Sequence, residues 1–280
     1  MHKLTLILIL ILLTAIYCTA QQDNKRFEDS VFNHYMKKGA WQQPLFSRAR
    51  ERYIDSALAL LPQNAYLWQQ RSMPLFKQNK YQQGMPYLDS AVKYDHKNWM
   101  EYRAFMKCIF QKDYEAALVD FDLARSLNGN SYVMDHPYDF YSALCHLQLG
   151  RFQQAEALLR SCIDERRQKL GDKWVHYVHL FYLGVVCFEQ ERYAEAQEHL
   201  KKCLDKYPDF SDAEYYMAAT YVRQMDYKTA LPIIKKASAD AAKGYTLNED
   251  NVFYETYPYQ VKKYYMSGLL AMVEDMNKEK

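Results

Sequence analysis

The chain has 280 residues, a formal net charge of +2 and 25% charged residues, a balance that leaves no clustered basic footprint for nucleic acid. Eight glycines and eight prolines are too few for collagen-like sequence, long linkers or extended disorder. Aromatic residues reach 15%, and 26 tyrosines carry most of that. Such rings pack between helices while their hydroxyls reach water or a backbone carbonyl.

In chain order, Met1-His2-Lys3 is a short, weakly positive start, and an almost unbroken apolar run follows from Leu4 to Ile16. Cys18-Thr19-Ala20 then places small residues before the polar Gln21-Gln22-Asp23. This pattern predicts a signal peptide over residues 1–20 and a mature chain beginning at Gln21. The run is short for a bilayer span of about 20 residues, so a retained membrane anchor is the secondary reading. Tyr17 and Ala15 do not suit a lipid-attachment site at Cys18.

Residues 21–30 read as a polar lead-in. A first helix is expected over Val31–Gln43 and a second over Phe46–Leu61, with Arg50 where later units carry Ala or Gly. Residues 65–98 and 99 to about 130 form two further units, the second stopped by Gly129 in place of a terminating proline. Pro86 and Pro232 fall near the first turn of a second helix, where a missing N–H costs little. Ser131–His136 is a short insertion before a fourth unit that overruns to Gly171. Asp172 is expected to cap a lengthened helix starting near Lys173. Units five and six occupy 177–210 and 211–244. Residues 245–280 hold an irregular segment and then a helix with Val261, Tyr265, Leu269, Met272 and Met276 on one face.

Three markers organise these units. Leu180, Leu183, Gly184 and Cys187 make one helical stripe, and Tyr193, Ala196, Leu200 and Cys203 a second facing it, ended by Pro208. The opening aromatic recurs as Tyr81, Tyr114, Phe152, Tyr193 and Tyr227. A small residue follows it as Gly84, Ala117, Ala155, Ala196 and Ala230. A second small position appears as Ala57, Ala91, Ala124, Cys162, Cys203 and Ala237. Steps of 34, 33, 38, 41 and 34 residues separate these last positions, so the extra residues lie between units and not inside second helices. A helix pair repeating at about 34 residues resembles the tetratricopeptide repeat. The junction Ala57-Leu58-Ala59-Leu60-Leu61-Pro62-Gln63-Asn64-Ala65-Tyr66-Leu67-Trp68 closely resembles that family's repeat boundary. The resemblance implies an all-α, right-handed α-solenoid over residues 31–244, with six helix pairs and a C-terminal capping helix.

Chemistry has little support in the residues. Cys108, Cys145, Cys162, Cys187 and Cys203 include no CxxC pair and sit at packing positions, where buried thiols act as small hydrophobes. Cys145 and Cys162 are the pair to check for a bridge. His176 and His179 share a helical face with Asp172 one turn before, a conceivable metal site lacking a further ligand; packing or solvated histidines are the default. No phosphate loop, GxSxG elbow or HExxH occurs. Neither an enzyme nor a cofactor is expected.

A second stripe runs along each first helix. In tetratricopeptide proteins this side lines a concave groove for extended peptides or a partner's helix. The matching residues here are Tyr66, Met73 and Phe76, then Arg103, Lys107 and Phe110, Phe140 and Leu144, Phe181 and Phe188, and Tyr215. Packing of first helix on first helix is the other use of such a stripe. Arg103 and Lys107 give the groove its polarity and need an acidic partner, from a bound segment or from a neighbouring helix. The family's Lys-Arg-Asn carboxylate clamp is not matched, since Tyr35, Gly39 and Gln70 stand near its polar positions. The reading is an exported, non-catalytic scaffold of a bacterial envelope that binds a protein or peptide. Its alternatives are a membrane-anchored assembly component and an envelope hydrolase.

Overall fold

A computed structural model describes residues 21–278. The expected signal peptide, residues 1–20, lies outside the described residues. The described residues are all-α apart from one two-stranded hairpin, and the chain divides after Trp99 into two compact units.

The first unit opens with a helix over 21–31 (α1), where no glycine or proline interrupts the backbone. It continues as a π-helical turn, Phe32–Lys37, and a 3-10 turn, Ala40–Gln42. Helix α2 (Arg48–Leu60) starts at Ser47, whose hydroxyl accepts the N–H of Arg50. Helix α3 (Ala65–Phe76) is capped likewise by Asn64, and α4 (Tyr81–Tyr94) packs against it. Arg50 is buried because it has work there: it donates to the Ala40 carbonyl and to Gln70 Oε1, each at 3.0 Å. Helix α5 (His96–Met106) begins at the end of this unit.

In the second unit α5 passes into a π-helical segment, Lys107–Gln111, followed by α6 (Tyr114–Asn128). The insertion forms a hairpin of β1 (Tyr132–Val133) and β2 (His136–Pro137), paired Val133 to His136. Three helix pairs follow: α7 (Tyr138–Gln148) with α8 (Phe152–Leu170), α9 (Tyr177–Glu189) with α10 (Tyr193–Lys206), and α11 (Ser211–Arg223) with α12 (Tyr227–Lys243). Helix α13 (Lys263–Lys278) covers α12.

The three markers do what their spacing implies. Ala117, Ala155, Ala196 and Ala230 are fully buried, and so are Ala124, Cys203 and Ala237. At Gly184 an added Cβ would stand 2.7 Å from Leu200 Cγ, so only glycine fits that crossing. A fourth marker is conformational. Two residues before each second-helix aromatic the backbone turns left-handed, at Asn79, Lys112, Glu191 and Met225 with φ of 58–60° and at Gly150 with φ of 70°. Four of these five are not glycine, so residue type hides the regularity.

Several details differ from the sequence reading. Pro86 and Pro232 occupy the sixth position of α4 and α12, past the first turn, so each removes one helical hydrogen bond. The fifth unit's first helix starts at Tyr177; His176 caps it and Asp172 lies in a separate 3-10 turn. In α13 the inward residues are Met266, Leu269, Leu270 and Val273, while Tyr265 and Met272 face solvent. Register follows packing on Ala218, Ala230 and Ile234, which rotates the helix from the face with most apolar residues. The five cysteines among the described residues are buried free thiols, and Cys145 lies beside Cys108 of the preceding first helix, not Cys162.

Candidate functional site: a first-helix face that holds an extended segment

The site lies within the second unit, where the first helices of successive pairs stand side by side and α7 meets α9, and α9 meets α11. Residues 245–262 leave α12 at Gly244 (φ 90°) and run across these helices as a strap before entering α13. The strap is held by its backbone. Tyr182 donates its hydroxyl to the Pro258 carbonyl at 2.7 Å, and Tyr216 reaches the Tyr259 carbonyl at 3.5 Å. Lys112 donates to the Thr256 carbonyl and pairs with Glu255 at 3.7 Å. Asp212, at the start of α11, accepts the N–H of Val261 at 2.7 Å and of Leu247 at 3.0 Å. The strap carbonyl of Tyr245 accepts from Ser211 N at 2.9 Å. Leu247, Tyr257 and Val261 fill the apolar side of the interface.

Electrostatics follow from burial. Burial raises the Asp212 carboxyl to about 6 although two amides donate to it. Burial also raises the Tyr182 and Tyr216 phenols well above their usual range, so both remain donors at neutral pH. It lowers the Lys112 ammonium, which Glu255 partly restores.

At one end of the strap lies a second cluster. His136 from the hairpin, His176 at the α9 cap, His179 one turn on, and Glu249 from the strap converge. His136 Nε2 is 2.7 Å from Glu249 Oε2, and His136 Nδ1 is 3.0 Å from His179 Nε2. The rings of His136 and His176 lie 5.0 Å apart, nearly perpendicular, with Phe140 against His136 at 4.1 Å. One ligand atom each from His136, His176 and Glu249 fall within 4.8 Å of one another. Burial lowers the His176 and His179 imidazoles, His179 well below its usual range. The neutral form of a histidine is the one that ligates metals.

The residues expected to line a groove divide by role. Phe140 stacks on His179 and meets Tyr182, while Phe181 meets Phe210 and Tyr216. Phe188 meets Tyr216 and lies under Arg223, and Leu144 and Phe110 are buried. Tyr215 packs with the cluster beneath α13. These side chains join first helix to first helix or to the cap. Arg103 makes two bonds to Asp120 of α6, at 2.8 and 2.9 Å, and Lys107 reaches the same carboxylate at 2.8 Å. A neighbouring helix thus supplies their acidic partner. In the first unit Phe76 is buried, and Tyr66 and Met73 are half-buried. Tyr66 helps line a pocket of about 890 Å³ with Phe27, Asn98 and Trp99.

Tyr182, Tyr216, Asp212, Lys112, His136 and Glu249 were not singled out by the sequence reading for these roles. A signal for the tyrosines does exist. Eleven residues before each second-helix aromatic stand Gln70, Arg103, Tyr141, Tyr182 and Tyr216. Three successive tyrosines at one repeat position mark a face that presents hydroxyls. No comparable spacing links His136 to Glu249.

Two tetratricopeptide-repeat family models match the sequence, one over residues 138–209 and one over 188–245. Residues 138–245 are tetratricopeptide repeats. Neither match is to a catalytic family. Solved tetratricopeptide structures agree on the fold. A tetratricopeptide repeat protein from Parabacteroides merdae superposes with a TM-score of 0.60 at 14% identity, covering 88% of this chain and 98% of that one. PilW, a type IV pilus biogenesis factor, gives 0.60 at 14% identity over 77% of this chain and 94% of its own. MamA from Desulfovibrio magneticus gives 0.54 at 16% identity over 64% and 96%. No curated protein matches the chain by sequence. Within the described residues no helix is long and apolar enough to cross a membrane.

Proposed function

We propose that this protein is a non-catalytic interaction scaffold, exported to a bacterial cell envelope, that binds an extended segment of a protein partner along its first-helix face. The supporting observation is the strap: the first helices of the second unit already hold eighteen residues of non-repetitive chain through backbone groups. Recognition by backbone tolerates many side chains, which suits a peptide-binding face. In the first unit Tyr66 and Met73 are half-buried on the first helix α3, and Tyr66 lines the pocket that Phe27 and Trp99 complete. Phe27, Trp41 and Phe46 are large exposed rings in the same unit, apolar surface of the kind that partners cover. Export is supported by the N-terminal sequence alone, and a membrane role requires that this segment be retained.

A photocrosslinking residue at Met73, in cells carrying the full chain, tests the reading against one at Gln82 on the second helix α4. Adducts from Met73 and none from Gln82 support first-helix binding; the reverse pattern moves the partner to the other face. The first residue of the protein recovered from the envelope settles the leader, Gln21 indicating cleavage and Met1 a retained anchor.

A further inference from the structure

We propose that His136, His176 and Glu249 form a binding site for a divalent transition metal, with zinc the best-suited ion, that fastens the strap to the first-helix face. Three separate elements supply the ligands: the hairpin, the cap of α9 and the strap. Their donor atoms lie within 4.8 Å of one another, so the widest pair closes by up to about 1.5 Å to meet one ion, a movement that side-chain rotation of the half-buried His176 supplies. Two imidazole nitrogens and one carboxylate oxygen make a borderline donor set. Zinc accepts it in three-ligand sites that leave a fourth position to water, whereas calcium and magnesium favour oxygen.

The surroundings organise His136 as a ligand. Its Nδ1 faces His179 Nε2 at 3.0 Å, so a proton on Nδ1 is donated to His179 and leaves the Nε2 lone pair directed at Glu249 and toward His176. Phe140 stacks against both His136 and His179 and holds the ring planes. Ligands at about 2.0–2.1 Å from zinc in a tetrahedral array stand roughly 3.3 Å apart. The 2.7 Å contact between His136 and Glu249 therefore opens by about half an ångström on loading, within the range of a side-chain adjustment. His176 is half-buried and provides the way in.

Charge near the cluster is mixed. Asp135 and Asp250 add negative charge around it, while Arg166 opposes from the side of α8. Three imidazoles packed beside one carboxylate offer nitrogen and oxygen lone pairs to a cation.

The test is titration of chelator-treated full-length protein with Co²⁺, read by its visible absorption, and with Zn²⁺, read by calorimetry. One equivalent of each is expected to bind, with the Co²⁺ spectrum of a low-coordinate nitrogen and oxygen site. Glu249→Gln, and His176→Asn, which keeps an acceptor at the helix cap, are each expected to weaken binding 100-fold or more. His34→Asn, at an exposed position of the first unit, is the control and binds as wild type. Circular dichroism verifies the fold of each variant, and His176→Asn keeps the test decisive should Glu249→Gln unfold. Saturating zinc is also expected to slow proteolysis between residues 250 and 256. Absence of stoichiometric binding, or binding unchanged by both variants, overturns the site. Binding without protection of the strap overturns the fastening.

Discussion

The carboxylate of Asp212 accepts the backbone N–H of Val261 at 2.7 Å, across 49 residues of sequence, and its other oxygen accepts that of Leu247. One side chain at the start of α11 therefore anchors both ends of the strap. Asp212→Ala leaves two buried amides without acceptors, at about 1–3 kcal/mol each. The expected outcome is faster proteolysis within residues 245–262 and a lower melting temperature. A strap as resistant as in the wild type would show that its apolar residues alone hold it.

Gly184 and Leu200 meet where α9 crosses α10, with 2.7 Å to a built Cβ. Gly184→Leu inserts a full side chain into that space, and overpacking costs about 1–3 kcal/mol or more. A clear drop in thermal midpoint is expected. An unchanged midpoint would mean that α9 and α10 separate freely.

Glu156 on α8 accepts from Arg192 at 2.6 Å and from Arg160 at 2.7 Å. Those hydrogen bonds, Arg192 first, hold its carboxyl down at about 2, against the cost of burial. A carboxyl depressed in the folded state stabilises above its unfolded pKa and loses that contribution as pH falls toward 2. Both arginines are partly solvated, so the contribution is about 1–2 kcal/mol. Glu156→Gln is expected to melt below the wild type at pH 7, with the gap closing between about pH 4 and 2. A gap independent of pH would assign the effect to shape instead of charge.

Asp120 is buried between Arg103 and Lys107. Asp120→Ala removes an acceptor that two cations share, and breaking such a pair costs about 3–5 kcal/mol. A chemical denaturation midpoint close to wild type would show that water reaches both cations.

Met225 is left-handed, with φ of 60°, and largely exposed. Glycine tolerates that conformation, so Met225→Gly is expected to be neutral or stabilising by up to about 1 kcal/mol, and Met225→Val destabilising. Equal melting of the two variants would contradict the turn geometry.

The helix pairs were legible because their markers are steric. Gly184, Ala196 and Cys203 are small where backbones meet, and small residues recur at the positions of Ala196 and Cys203 in the other units. The strap was not legible, because its grip is on backbone groups that any sequence carries. Asp212 looks like an ordinary first-turn acid, and only the fold shows which amides it faces. His176 and His179 were noticeable as a helical pair, but His136 and Glu249 are 113 residues apart and join through a hairpin and a loop that no period predicts. Arg103 and Lys107 announced a need for negative charge without saying which carboxylate, internal or external, meets it.

In a linear array of helix pairs each unit leans only on its neighbours, so such chains can fray from an end one repeat at a time. The strap changes the connectivity of the second unit. It ties the hairpin at residue 136, the turn at Lys112 and the start of α11 to a single late segment. Loss of the last helices then removes contacts from the first, and loss of the first loosens the last. The expected unfolding is a single concerted transition across Met100–Lys278, with a slow refolding step as the long loop closes. Closure waits for residues 245–262, so a ribosome-bound intermediate ending at α12 would still show its first-helix face open.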